Sequence, residues 1–439
     1  MKTKIFWFRN DLRVHDNEAL LKAASSSDEL IPLYIFDPRN FEKNEWGFSR
    51  SGFFRTKFLI ESVQDLRNNI QQKGGKLIVR YGYPEKIIPA LCKENGVATV
   101  YFSKEVAPEE VKLENLVSKE LSPIDVNWKE VWTSTLYSKN ELPFSIPRMP
   151  DLFTMFRKKT ERESKIGDMV HEPERITTPK GINEGEIPDI ESLCGESFED
   201  DPREIFKYKG GESKALAHLH NYVWETEAIK HYQETRNELK GTDFSSRFSP
   251  WLALGCISPR KIYHEVMAYE KNVEKNKSTY WLVFELVWRD FFRFSMEKHG
   301  QKYFRSQGLR ESLSYEFSHD KRKFIQWIEG RTGHEFIDAI MNELRYTGFI
   351  SNRARQVAAS YLVHDMNIDW LMGASYFESR LIDYDVCNNY GNWAYIAGVG
   401  NDARPDRYFD VDKQARLYDK DKSYRKLWTT EDEEYAAVS

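Results

Sequence analysis

Apolar residues cluster along the first part of the chain in short runs separated by amphipathic stretches. KIFWF (4–8), LIPLYIFD (30–37), KLIVRYG (76–82), ATVYFSK (98–104) and IDVNWKEV (124–131) have strand length and strand-like content. The second run stops at Asp37-Pro38. Between the runs, RTKFLIESVQDLRNNIQQKGG (55–75) places apolar residues at helical spacing and ends on Gly74-Gly75. EEVKLENLVSKEL (109–121) repeats the helical pattern. This alternation predicts a Rossmann-like α/β domain over residues 1–135, with a parallel sheet covered by helices on both faces. No GxGxxG follows the first strand, so a dinucleotide site of that kind is not expected.

From about residue 160 the periodicity is lost. TERESKIGDMVHEPERITTPKGINEGEIPDIES is polar and punctuated by Pro and Gly. Residues 136–213 therefore read as a long inter-domain linker lying on the surface. Residues 214–439 read as an all-helical domain. ALAHLHNYVWETEAIKHYQETR, PRKIYHEVMAYEKNV, YWLVFELVWRDFFRFSMEKH, FIDAIMNELRYTG, NRARQVAASYLVHDM and GASYFESRLIDYD all carry helical periodicity.

Composition refines this picture in three ways. A length of 439 residues suits two domains. The net charge of −5 excludes a globally basic nucleic-acid binder but leaves room for a local basic groove. The four cysteines, Cys92, Cys194, Cys256 and Cys387, are far apart and form no CxxC, so no metal site is expected. They suit a reducing cytoplasmic setting. No apolar run reaches membrane-spanning length, and MKTKIFWFRNDLR lacks a signal-peptide pattern. Aromatic content is high, with 12 Trp, 23 Tyr and 27 Phe; most such residues pack cores, but they also stack on flat ligands.

Three segments of the helical region mix charge with aromatics. In FELVWRDFFRF (284–294), Glu285, Trp288 and Arg289 fall at i, i+3 and i+4 and share one helix face. In TGFISNRARQ (347–356), Gly348 permits a break, after which Asn352 and Arg355 share a face. DYDVCNNYGNW (383–393) sets Asp383, Asp385, Asn388 and Asn389 between apolar or small flanks. Buried polar groups need partners. Asp383 and Asp385 can pair with Arg353 or Arg355, and the asparagines can face a ligand with many hydrogen-bonding atoms. Each segment alone also reads as an ordinary ion pair or a solvated turn.

Taken together and in this order, the three segments closely resemble the photolyase/cryptochrome family, and its DASH branch in particular. KIFWFRNDLRVHDNEAL resembles the family's first strand and loop, and the resemblance reaches to about residue 426. It implies an FAD held within the helical domain. Tyr232 and the stretch Ser245, Ser246, Arg247, Phe248, Ser249 match the family's phosphate and ribityl contacts. Arg289, Asn352, Arg355, Asp383 and Asp385 match other flavin contacts, and Asn389 matches the residue facing flavin N5. The implied substrate is a cyclobutane pyrimidine dimer in DNA. Glu285, Trp288, Gln356 and Tyr395 would meet it, with Trp288 as the aromatic wall and Glu285 as acceptor. Duplex-active relatives usually carry Trp and Met where this chain has Tyr395 and Gln356. The smaller, more polar pair implies a preference for single-stranded or looped DNA. The implied reaction is light-driven electron transfer by a monomeric enzyme.

The family refills its flavin through three Trp. Trp393 and Trp370 match the inner two, but the outer position reads Phe317, with Tyr315, Tyr395 or Trp327 as substitutes. SKEVAPEEVK (103–112) resembles the branch's loop for a methenyltetrahydrofolate antenna, with Glu105 as pterin ligand. Repair of (6-4) photoproducts is disfavoured, because that subfamily has His where this chain has Ser351 and Asn352. The iron–sulfur branch would need four clustered cysteines. A blue-light signalling receptor with little or no repair activity is the alternative of another class. Its usual long C-terminal extension is not expected here.

Overall fold

The five apolar runs form five strands in a computed structural model that describes residues 2–313, 316–401 and 407–429. They are β1 (Thr3–Phe8), β2 (Glu29–Phe36), β3 (Ile78–Tyr81), β4 (Val97–Ser103) and β5 (Asn127–Val131). All neighbours pair in parallel, in the order β3-β2-β1-β4-β5. Every residue of β1 is buried, as expected for a central strand covered on both faces. Alternation sorts its side chains. Ile5 and Trp7 join a core confined to the α/β domain, whereas Phe6 and Phe8 join one that continues into the helical domain.

The helix expected at 55–75 spans Phe53–Gln72, and that at 109–121 spans Pro108–Leu121. Two further helices, Glu18–Ser25 and Pro84–Asn95, were not evident in the pattern. Pro89 sits inside the second and argues against helix in sequence. Burial of Ile88, Leu91 and Cys92 outweighs it.

Residues 136–213, expected to form a surface linker, are not wholly superficial. It contains the helix Phe153–Glu163, whose Phe153 and Phe156 are buried. Further on, the chain runs along the sheet edge. Leu30 N–H donates to Thr177 O at 2.8 Å and Val79 N–H to Glu184 O at 2.7 Å. Gly185 follows with φ +74°, and a Cβ there would lie 2.1 Å from Val79 O.

The joint between the α/β and helical parts is polar and buried. Glu212 accepts from the Val14 and His15 amides at 2.9 and 2.8 Å and pairs with the His15 ring. Arg13 donates to Gly255 O at 2.9 Å and to Thr133 O at 3.1 Å.

The helical part is built around Lys277–His299, capped by Asn276, whose side chain accepts from the Ser278 and Thr279 amides. Around it stand Pro259–Asn272, Glu335–Thr347, Asn352–Ser360, Trp370–Arg380 and Val386–Ile396. The long pattern at 215–236 is not one helix. Glu212–His220 continues as a wider turn and breaks at Glu227, which takes φ +49°. Among the described residues no helix is long and apolar enough to cross a membrane, and no cluster of His, Cys, Asp or Glu is arranged to hold a metal.

Candidate functional site

The three charged-aromatic segments converge on one cavity of about 430 Å³, a size suited to a cofactor or small ligand. Lys277–His299 presents Glu285, Trp288 and Arg289 to it. Asn352–Ser360 presents Asn352, Arg355 and Gln356. That helix can point inward because Gly348, at φ +70°, ends the preceding helix and Ser351 caps the new one. Asp383, Asp385, Asn388 and Tyr395 line the cavity from the Val386–Ile396 helix and the turn before it. Tyr232 and the segment Ser245–Ser249 complete the lining. A smaller cavity of about 100 Å³ adjoins, sharing Asp383 and Arg355 and adding Asn389 and Trp393.

Local hydrogen bonds show what each group has left to offer. Arg355, and not Arg353, pairs with Asp383, at 2.9 Å. Asp383 Oδ1 is buried without a partner among the described residues. Such an oxygen calls for a donor from a ligand. Asp385 is the N-cap of its helix, accepting from Asn388 N at 2.8 Å and Asn388 Nδ2 at 2.6 Å. Asn389 Nδ2 donates to Ala374 O at 3.0 Å, so its carbonyl oxygen is the group it can offer to the cavity. The orphaned Asp383 oxygen, the Asn389 carbonyl and the Ser245–Ser246 hydroxyls suit a ligand that carries ring N–H groups and sugar hydroxyls, such as a flavin dinucleotide.

Two arginines expected at a ligand are largely committed to the framework. Arg247, at φ +50°, donates to Thr242 O, Gly241 O and the Tyr208 hydroxyl. Arg289 donates to Ser134 O and to Leu252 O. Both still line the cavity. Arg353 faces Asn237 at 3.1 Å. Burial raises the Tyr232 phenol above its ordinary pKa, keeping it a neutral hydroxyl.

Glu285 is held by two groups, of which only Trp281, four residues earlier on the same helix, follows from helical spacing. Arg236 forms an ion pair with Glu285 Oε1, and Trp281 Nε1 donates to the same oxygen at 3.1 Å. Trp288 meets Tyr395 edge-on, with centroids 5.7 Å apart. Next to Trp288, Asp290 accepts from the Leu136 and Tyr137 amides at 2.9 Å each, tying the end of the α/β part to this helix. Burial pushes its carboxyl up to about 7.

Trp393 packs against Gly373, where a Cβ would lie 2.3 Å from the indole. Trp327 lies 6.2 Å from Trp393, ring centre to ring centre. Trp370 is fully buried, lines neither cavity, and donates from Nε1 to Ser306 O at 2.9 Å. Phe317 is buried, and Tyr315 lies outside the described residues. Glu105 lines neither cavity. It is buried, with Arg293 Nη2 at 2.6 Å and Asn10 Nδ2 at 3.3 Å on its carboxylate.

Residues 4–179 match the DNA photolyase family, and residues 281–437 match the FAD binding domain of DNA photolyase. A cryptochrome DASH from Gloeobacter violaceus is 47% identical over 430 residues, covering 98% of this chain and 86% of the relative. A cryptochrome structure from Synechocystis is 44% identical, with a TM-score of 0.94, covering 98% of this chain and 88% of that one. An archaeal photolyase from Sulfolobus tokodaii, solved with two FAD molecules, is 28% identical with a TM-score of 0.78, covering 98% and 90%.

Proposed function

The chain belongs to the photolyase/cryptochrome family, in its DASH branch, and from that premise we propose that it is a blue-light-driven, FAD-dependent photolyase that repairs cyclobutane pyrimidine dimers, preferentially in single-stranded or looped DNA. The observation that carries this reading is that Glu285 and Trp288 line the same cavity as the Arg355–Asp383 pair, so a lesion pocket and a flavin pocket are continuous.

The chemistry that FAD would supply, when bound, is light-driven transfer of one electron to the dimer and back. The chain's own residues bind and orient. Asp383 Oδ1 would accept from the flavin, with Arg355 keeping the partner oxygen satisfied. Asn389 offers a carbonyl; an amide, unlike a carboxylic acid, has no acidic proton to give there. Tyr232, Ser245 and Ser246 serve the ribityl and phosphate end. Trp288 receives one face of the flipped dimer, and Glu285 accepts from its N–H edge once Arg236 yields. Extruding a lesion costs a few kcal/mol in duplex and less in a single strand. Tyr395 and Gln356 offer a modest, polar grip, which favours the cheaper substrate.

For the antenna we propose methenyltetrahydrofolate near Glu105. Its support is that Glu105 and Asn10 both follow strand ends, β4 and β1, at the carboxyl edge where such sheets hold ligands. The four unpaired cysteines support a reducing, cytoplasmic setting, and the protein acts as a monomer on this reading.

The test is light-driven repair of one cyclobutane thymine dimer by chemically reduced, flavin-loaded protein, on a single-stranded oligonucleotide and on its duplex. Faster repair of the single strand is expected. No repair of either substrate would overturn the photolyase reading and favour a light receptor.

A further inference from the structure

The helix Phe153–Glu163 packs against Lys277–His299, the helix that carries Glu285 and Trp288. It is pinned at both ends. Before its start, Asp151 accepts from Lys298 Nζ at 2.7 Å and Nε2 of His299 lies 2.9 Å away. Near its end, Glu161 accepts from the Tyr280 hydroxyl at 2.8 Å. Between these pins Phe153 lies flat on Trp288, with ring centroids 3.5 Å apart and planes inclined by 11°.

Phe153 is buried and does not line the cavity, whereas Trp288 does. The phenyl ring therefore covers the indole face turned away from the cavity. Phe284 and Phe291 close edge-on around Phe153 at 5.2 and 5.6 Å, so the phenyl ring cannot swing aside without displacing them. Phe292 is also near-parallel to the indole at 5.4 Å and Tyr395 meets it edge-on at 5.7 Å, so the ring is held to one plane while still lining the cavity.

We propose that Phe153 is a positioning residue that fixes the plane of Trp288 for stacking on a flipped pyrimidine dimer, which makes the linker part of the lesion pocket. The proposal rests on the reading of this cavity as a lesion pocket. Its physical basis is pre-organisation: a wall already held in place loses less freedom when the lesion stacks on it.

The experiment uses the full, flavin-loaded protein. Dissociation constants are measured in the dark for a single-stranded oligonucleotide with one thymine dimer and for its undamaged counterpart, and KM and kcat are measured under light. Phe153→Leu keeps apolar bulk but removes the ring; Phe153→Tyr keeps the ring. Phe153→Leu is expected to weaken dimer binding and raise KM by roughly two- to tenfold, the size of one aromatic contact. Its kcat, flavin content and affinity for undamaged strand should stay at wild-type values, and Phe153→Tyr should restore dimer binding. Unchanged dimer affinity in Phe153→Leu, with discrimination lost in Trp288→Ala, would overturn the proposal alone. Unchanged discrimination in Trp288→Ala would overturn the lesion-pocket reading and the proposal with it. Equal losses in Phe153→Leu and Phe153→Tyr, or loss of flavin from Phe153→Leu, would show a merely structural role and also overturn it.

Discussion

Arg355 donates to one oxygen of Asp383 at 2.9 Å, while the other oxygen of that carboxylate is buried without a partner among the described residues. The protein thus satisfies one half of the carboxylate, and the other half suits a donor from a ligand. Asp383→Ala removes that acceptor and leaves Arg355 uncompensated. A hydrogen bond to a charged group contributes about 1.5–3 kcal/mol, so FAD affinity should fall roughly 10- to 100-fold. Fluorescence titration of the flavin-free protein with FAD measures this. Unchanged affinity would place the isoalloxazine elsewhere.

The lesion groups and the flavin groups should separate genetically. Glu285→Ala combined with Trp288→Ala is expected to abolish dimer repair while FAD stays bound. Bound flavin is read from the absorption spectrum after gel filtration, and repair from recovery of unmodified thymines. Loss of flavin in the double variant would mean that the two pockets are not divided as described.

The joint between the two parts of the chain should make stability depend on acid. Burial alone would raise the Glu212 carboxyl pKa. Its contacts with the His15 ring and with the Val14 and His15 amides outweigh this and leave it below the ordinary value of 4.5. A lowered folded-state pKa contributes stability that is present above the unfolded value and lost as pH falls through the folded one. Glu212→Gln should cost about 1.5–3 kcal/mol at neutral pH, the range for hydrogen bonds to a charged group. It should also flatten the fall of Tm below about pH 4.5. Calorimetry over an acid pH series checks both; a parallel acid limb in the variant would assign the effect to other carboxylates.

Phe317 stands where a readily oxidised ring is expected, and phenylalanine is a poor electron donor. Photoreduction of the bound flavin by an external thiol should therefore be slow, and Phe317→Trp should accelerate it severalfold without changing repair by chemically reduced protein. Trp327, 6.2 Å from Trp393, offers a side route. If Phe317→Trp leaves the rate unaltered and Trp327→Phe lowers it, electrons reach the flavin through Trp327.

Much of this was legible in local pattern. The face formed by Glu285, Trp288 and Arg289 follows from helical spacing alone, and the five strands from runs of apolar residues. What was hidden lies in contacts between distant segments. Nothing near Phe153 announces that it will stack on Trp288. Arg236 reaches Glu285 from 49 residues away, and Arg293 reaches Glu105 from 188. The break at Glu227 depends on a left-handed backbone that the helical pattern of 215–236 conceals. Asp385 also serves as a helix cap, a demand on its side chain that residue type alone does not reveal.

The chain segment that crosses from one part to the other also acts as a guard. Strand β3 is four residues long and stops short of the start of β2, and there Thr177 takes up the amide of Leu30, while Glu184 takes up Val79 on the outer side of β3 itself. Backbone that would otherwise template another strand is thereby occupied. Cutting the chain near residue 135 would not release a self-sufficient module; it would release a sheet with an open flank, prone to pair with its own copies. Expressing the α/β part without this segment should therefore yield more aggregate than the uncut chain does.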